Sequence, residues 1–251
     1  MASAMSATSP LPEPPPLRDL MAQGPVAVFL DFDGTLVELA DEPDGIFVPA
    51  DLIDRLHDLR ERLNGRLAIV TGRALDDLAT HTGQCKLARA GSHGAYCLDE
   101  KGSQLTEEPN ALPSEVVDAL HDFAENHGIR YEAKTHGGAL HYRGDPQLEQ
   151  EILDLAQLLS DAHGLEVRRG KAIVELTEPG SHKGSAVHTF MGENGFEGAR
   201  PIFIGDDLTD EDGFIGANEC GGFGIAVGER ESQAARYHLP DVAAVHAWLN
   251  L

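Results

Sequence analysis

The chain has 251 residues, 41% hydrophobic and 24% charged, with 19 basic against 42 acidic side chains and a formal net charge of −23. These values describe a globular protein with room for one large domain or a core with a smaller insertion. They argue against nucleic acid and anionic membranes as partners. No apolar run approaches the roughly 18–20 residues that span a bilayer. The opening MASAMSATSPLPEPPPLRDL lacks the basic start and apolar centre of a secretory signal. Cys85, Cys97 and Cys220 are too widely spaced for a disulfide framework or a CxxC metal site, so a reduced, cytoplasmic setting is expected. With no obvious apolar interface, a monomer is favoured. An anionic substrate would need a metal ion or local cations to offset the field.

Residues 1–22, rich in Ser, Ala and Pro, predict a flexible or polyproline-like lead. Val26 to Leu30 is short, apolar and bounded by turn residues, as a fully buried strand should be. ADLIDRLHDLRERLNG predicts a helix with Leu52, Leu56, Leu59 and Leu63 in one stripe and Gly65 at its end. RLAIVTGR is a second apolar strand, ALDDLATHT a helix, and KLARAG a third strand. Alternation of this kind implies a parallel sheet with crossover helices.

From about Tyr96 to Pro179 the period changes. AYCLDEKGSQL reads as a hairpin about DEKG. PSEVVDALHDFAENHG is a helix with Val116, Val117, Leu120 and Phe123 on one side, and IRYEAK and GALHYRG are strands around a glycine-rich turn. A second helix follows, with Asp145 as N-cap, Pro146 at its first position and Gly164 at its end. LEVRRGKAIVELTEP is a hairpin turning at Gly170. After Pro179 the earlier rhythm returns: helical HKGSAVHTFMGENG, the strands RPIFIGDD and FGIAVG, and a last helix with Val242, Val245 and Leu249 inward. The expected architecture is α/β, a Rossmann-like parallel-sheet core of residues 23–98 and 179–251 interrupted by an α+β cap over 99–178.

In an open parallel sheet, reactive groups gather at the carboxyl ends of the strands. By this reading Asp31 and Asp33, Thr71, and the acids Asp206, Asp207, Asp210, Glu211 and Asp212 all fall there. So many carboxylates at one edge repel one another unless a cation intervenes. A hard divalent ion, most simply Mg²⁺, suits oxygen ligands, and Lys183 adds a further positive charge. If the first strand continues, Asp31 and Asp33 share a face. If the chain loops after Phe32 they diverge and both reach one small site, and Gly34 permits that turn. A carboxylate beside a divalent cation can attack phosphorus. A second carboxyl can protonate the leaving oxygen and then deprotonate water. Thr35 is expected to cap the following turn or bond nearby backbone.

DFDGTL, VTGR, HKGSA and GDDLTDED, in that order, resemble the four motifs of the haloacid dehalogenase-like (HAD) phosphatases. The resemblance implies Asp31 as nucleophile, Asp33 as general acid/base and Thr71 with Lys183 as the phosphoryl-binding pair. It implies a Mg²⁺ site of Asp31, the main-chain carbonyl of Asp33, and Asp206, with Asp207 and Asp210 as weaker candidates. GSHGAY, YEAK…ALHYR and GKAIVELTEPGSHKGSA resemble more closely one branch, the trehalose-6-phosphate phosphatases, over nearly the whole chain after the lead. That resemblance implies a sugar phosphate as substrate and Glu132, Lys134 and Glu175 as a clamp on its hydroxyls. Arg73, His93, His141 and Arg143 are further candidates for substrate contact. Tyr96 stands where the family often has an acid. The alternatives are a phosphatase for another sugar phosphate, of the sucrose phosphate or mannosyl phosphoglycerate type, and a non-catalytic sugar-phosphate sensor.

Overall fold

The computed structural model describes residues 11–40, 45–83, 85–170, 172–180 and 182–251. The strands are β1 (Val26–Leu30), β2 (Leu67–Val70), β3 (Ala88–Gly91), β4 (Tyr96–Leu98), β5 (Arg130–Lys134), β6 (Gly137–His141), β7 (Glu166–Gly170), β8 (Ile173–Thr177), β9 (Arg200–Gly205), β10 (Phe223–Val227) and β11 (Ala235–Leu239). The helices are α1 (Leu17–Gln23), α2 (Leu52–Arg62), α3 (Leu75–Thr82), α4 (Ser114–His127), α5 (Glu149–His163), α6 (Lys183–Met191), α7 (Asp210–Glu219) and α8 (Val242–Leu249). Among the described residues no helix is long and apolar enough to cross a membrane.

A seven-stranded sheet in the order β11-β10-β9-β1-β2-β3-β4 forms the larger unit. Its pairs are parallel except β3 with β4. Strands covered on both faces need apolar side chains at every position, and β1, β2 and β10 are buried throughout. Val28, Leu30, Ile69, Ile204 and Ile225 pack with α1, α2, α3 and α8 on one face. Ala27, Phe29, Val70 and Phe203 pack with α6 and α7 on the other. The fold class is thus the expected α/β one.

A four-stranded antiparallel sheet, in the order β5-β6-β8-β7, forms the smaller unit. On one of its faces Leu140, Val174 and Leu176 pack with Val116 and Leu120 of α4 and Ile152 and Leu159 of α5. Alternation along the strands turns Glu132, Lys134, His141 and Glu175 to the other face.

Two local expectations need correction. The lead is anchored from Leu11 onward; residues 1–10 lie outside the described residues. Leu17 and Leu20 of α1 are buried in the core, His238 N donates to Pro12 O (3.0 Å), and Trp248 Nε1 donates to Pro15 O (2.9 Å). Proline composition suggests an extended chain, but the interspersed leucines supply an apolar face that docks. Thr35 Oγ1 is buried and makes no hydrogen bond among the described residues, so its hydroxyl caps nothing. On α4, Val116 and Leu120 are buried and Val117 and Phe123 pack, partly buried, against the same cluster, as expected.

Candidate active site

The loop after β1 separates the first two acids. Asp31 N still bonds Ile204 O of β9 (2.9 Å), but Leu36 N bonds back to Phe32 O (2.9 Å) and Gly34 N to Val37 O (2.7 Å). The chain therefore turns directly after Phe32, and Asp31 and Asp33 diverge. Gly34 is required twice over. Its φ is +78°, and a Cβ there would lie 2.2 Å from Asp206 Oδ2.

Asp31, 4% exposed, faces Lys183, whose Nζ donates to Asp31 Oδ1 and Asp210 Oδ1 at 2.7 Å each. Lys183 opens α6, which is capped by His182: Nδ1 accepts from Ser185 N (3.1 Å), and Ser185 Oγ accepts from His182 N (3.2 Å). Close packing brings α6 and α7 together at this end. A Cβ on Gly216 would come within 2.7 Å of Gly184 Cα, and one on Gly184 within 2.4 Å of Asp212 O. Asp210, fully buried, also accepts from Asp207 N through Oδ2 (2.8 Å).

Carboxylate oxygens of Asp31, Asp206 and Asp210 lie within 4.8 Å of one another, and Asp206 Oδ1 is buried with no hydrogen-bond partner among the described residues. Three acids thus share one lysine. Burial pushes the Asp31 carboxyl well above its ordinary range; Lys183 pulls it back, and Asp210 and Asp206 add to the rise. Burial and then Asp210 push Asp206 up to about 7, against Lys183. Burial alone would lower Lys183, but Asp210 and Asp31 hold it above its ordinary value. Such a group fits a divalent cation. Asp207, a weaker candidate from the sequence, stands outside this trio of side chains. Residues 207–209 form the turn into α7, and Asp210, the first residue of the helix, is set beside Asp206 by its bonds back to Asp207: its N donates to Asp207 O (3.1 Å) and its Oδ2 accepts from Asp207 N.

Asp33 instead takes a fork from Arg73: Nε to Oδ2 and Nη2 to Oδ1, both 2.7 Å. Arg73 Nη1 also donates to Asp77 Oδ2 (2.7 Å), and Arg73 N to Thr71 Oγ1 (3.1 Å). Both Asp33 oxygens therefore accept charge-assisted bonds from one guanidinium, which fixes the orientation of the carboxyl group.

The opposite wall comes from the smaller sheet. Glu132, Ala139, Glu175 and Arg168 occupy one cross-strand row, with the small Ala139 between the two glutamates. Lys134 Nζ donates to Glu175 Oε2 (2.7 Å), and His141 Nε2 lies 2.6 Å from Glu132 Oε2. Burial would raise Glu175, but the charge of Lys134, with hydrogen bonds from His93 and Lys134, holds it well below the usual carboxylate range. Apart from Asp210, every residue singled out from the motifs as catalytic, metal-binding or substrate-binding lines one cleft of about 1510 Å³ between the walls, Arg143 included. The buried Asp210 stands behind the lining. The sequence reading missed Asp77, Arg130 and Arg168, which also line it. Asp77 was signalled by its i,i+4 spacing from Arg73. Arg168 carries no local signal, since only the β7–β8 register sets it beside Glu175.

A family model described as trehalose-phosphatase matches residues 29–242. The chain belongs to the trehalose-phosphatase family. As a member of that family it is a phosphatase. It is 36% identical over 247 residues to the trehalose-6-phosphate phosphatase of Escherichia coli (strain K12), covering 97% of this chain and 91% of that protein. It is 39% identical over 208 residues to a probable trehalose-phosphate phosphatase of Sinorhizobium fredii, covering 80% and 77%. The structure of the C. albicans trehalose-6-phosphate phosphatase C-terminal domain covers 98% of this chain and 100% of that one, at 22% identity and a TM-score of 0.77. The structure of a phosphatase of the haloalkanoate (HAD) enzyme superfamily from Bacteroides thetaiotaomicron matches over 90% of this chain and 93% of that one, at 18% identity and a TM-score of 0.63. The last two likenesses are of fold. The HAD fold of this trehalose-phosphatase family member places the ends of β1, β2 and β9 at the cleft.

Proposed function

We propose that the protein is a Mg²⁺-dependent phosphatase that converts trehalose 6-phosphate to trehalose and phosphate, the last step of trehalose biosynthesis, in the cytoplasm. One observation carries the reading: a single cleft faces Asp31, Asp33, Thr71, Lys183 and Asp206 on one wall with Glu132, Lys134 and Glu175 on the other. The first group suits a phosphoryl dianion. The second offers carboxylates and an ammonium to sugar hydroxyls. Residues 99–178 act as the cap that selects the substrate, and 23–98 with 179–251 as the catalytic core.

Asp31 attacks phosphorus in line. The bond from phosphorus to the sugar oxygen breaks, Asp33 delivers a proton to that oxygen, and an aspartyl phosphate remains on Asp31. Asp33, now a carboxylate, takes a proton from water as the water oxygen attacks phosphorus, and Asp31 is regenerated. The Arg73 fork orients the Asp33 carboxyl group toward the cleft for both proton transfers. Lys183 and Thr71 steady the phosphoryl oxygens. The Asp31 and Asp206 carboxylates and the Asp33 carbonyl would hold Mg²⁺, with Asp210 held beside them by Lys183. When bound, the ion neutralises charge on the phosphoryl group.

The deciding experiment is release of inorganic phosphate from trehalose 6-phosphate, sucrose 6-phosphate and glucose 6-phosphate, with Mg²⁺ and with chelator. The expected outcome is strong preference for trehalose 6-phosphate, lost with chelator. Equal rates on all three would retire the sugar clamp and leave the core chemistry. No release from any would favour a sensor.

A further inference from the structure

His93 joins the phosphate end of the cleft to its sugar end. It lies in the turn Ser92–Gly94 that follows β3. Ser92 (φ 48°) and His93 (φ 57°) are both left-handed, a region that non-glycine residues seldom enter and more seldom twice in succession. Three contacts hold the turn there. Ser92 N donates to Arg73 O (2.8 Å), His93 N donates to Thr71 O (3.0 Å), and the ring covers Gly72, where a Cβ would lie 2.6 Å from His93 Cε1.

From this anchorage the imidazole reaches the smaller sheet. Nε2 lies 3.2 Å from Glu175 Oε2, the oxygen that also accepts from Lys134. His93 is 9% exposed and Glu175 6%. Glu175 is an ionised acceptor, so the His93 proton sits on Nε2. Burial, opposed in part by Glu175, keeps the ring below its ordinary pKa and neutral. Nδ1 is then an acceptor, buried and without a partner among the described residues.

We propose that His93 is a positioning residue for the sugar of the substrate. It acts through Glu175, fixing that carboxylate relative to Thr71, and so sets the preference for a disaccharide phosphate over a phosphate ester without a sugar. Its main chain bonds Thr71 and its side chain bonds Glu175, so the two ends of the site are tied together through one residue. The proposal rests on the reading of Glu175 as a sugar contact.

The test compares H93A, H93N and H93Q on trehalose 6-phosphate and on p-nitrophenyl phosphate. Asn suits the left-handed backbone but its amide is too short to reach Glu175; Gln is less suited to the backbone but places an N–H where Nε2 stands. The ratio of kcat/KM for the two substrates is expected to fall about 10- to 100-fold in H93A, mainly through KM. It should stay low in H93N and recover in H93Q. An unchanged ratio in H93A, or recovery with Asn and not Gln, overturns the proposal, because a merely structural role lowers both activities together. If the unsubstituted enzyme shows no preference for trehalose 6-phosphate, the substrate reading fails instead. Unfolding of H93A, E175A and the double variant then decides the contact: coupled losses sustain it and additive losses overturn it.

Discussion

At Gly34 one methyl group is enough to disturb the site, because its position is shared by a left-handed backbone and the Asp206 carboxylate 2.2 Å from the would-be Cβ. Gly34→Ala should retain its far-ultraviolet circular dichroism and lose about 100-fold in kcat/KM, the size of effect that a displacement of about 1 Å has in a catalytic site. Asp31→Asn removes the attacking oxygen and should lower turnover by at least about 10⁴-fold, read by phosphate release on a protein with an unchanged fold. Lys134→Met leaves Glu175 buried beside an apolar neighbour. Breaking such a buried pair costs about 3 kcal/mol, measurable by urea unfolding at neutral pH. The pH dependence of that loss has a definite sign. Glu175 is held low and Lys134 high. The pair therefore stabilises the protein above the ordinary glutamate range and loses its effect as pH falls toward the depressed Glu175 value. The gap between Lys134→Met and the unsubstituted protein should narrow in acid.

Among the elements, α6 shows how a helix end serves the site. Its first residue is Lys183, and His182 caps it through Nδ1. That nitrogen must be unprotonated to accept from Ser185 N. H182A should cost about 1 kcal/mol of stability and lower kcat more than it raises KM, since the lysine loses its fixed origin; H182S, which restores an acceptor, should recover most of both. Helix α7 and strand β11 were not legible in the sequence. α7 carries Gly213 and Gly216 in its interior, poor helix formers locally, yet these let it approach Phe203 and Gly184. β11 is an edge strand whose Arg236 and His238 break the apolar run that marks the interior strands. The strongly patterned elements, β1, β2 and α2, follow the periodicity directly.

For the whole molecule, the −23 charge and the buried acid cluster point to one linkage. Without a cation, Asp31 and Asp206 have folded-state values above those of an unfolded chain. Folding then retains protons, and stability falls as pH rises from the ordinary aspartate range to about 7, the Asp206 value. A divalent cation competes with those protons. The rise in thermal midpoint on adding Mg²⁺ should therefore be larger at pH 8 than at pH 5.5, as differential scanning calorimetry would show; an equal rise at both would remove Asp206 from the cation site.

The sequence by itself determined the α/β alternation, the interruption near Tyr96, and the residue types that gather at the strand ends, because hydrophobic period and motif order are local properties that survive without coordinates. It left open whether Asp31 and Asp33 share a face, which acid after β9 joins Asp31, and what His93 touches. Tertiary structure decided these. The turn at Phe32 separates the two aspartates. Lys183, brought in by the α6–α7 packing, selects Asp210 across 27 positions of sequence. Glu175 reaches His93 from 82 positions away. The last two contacts depend on the docking of separate elements: apolar packing of those elements offsets the cost of burying the charged groups, and no local pattern records which groups then meet.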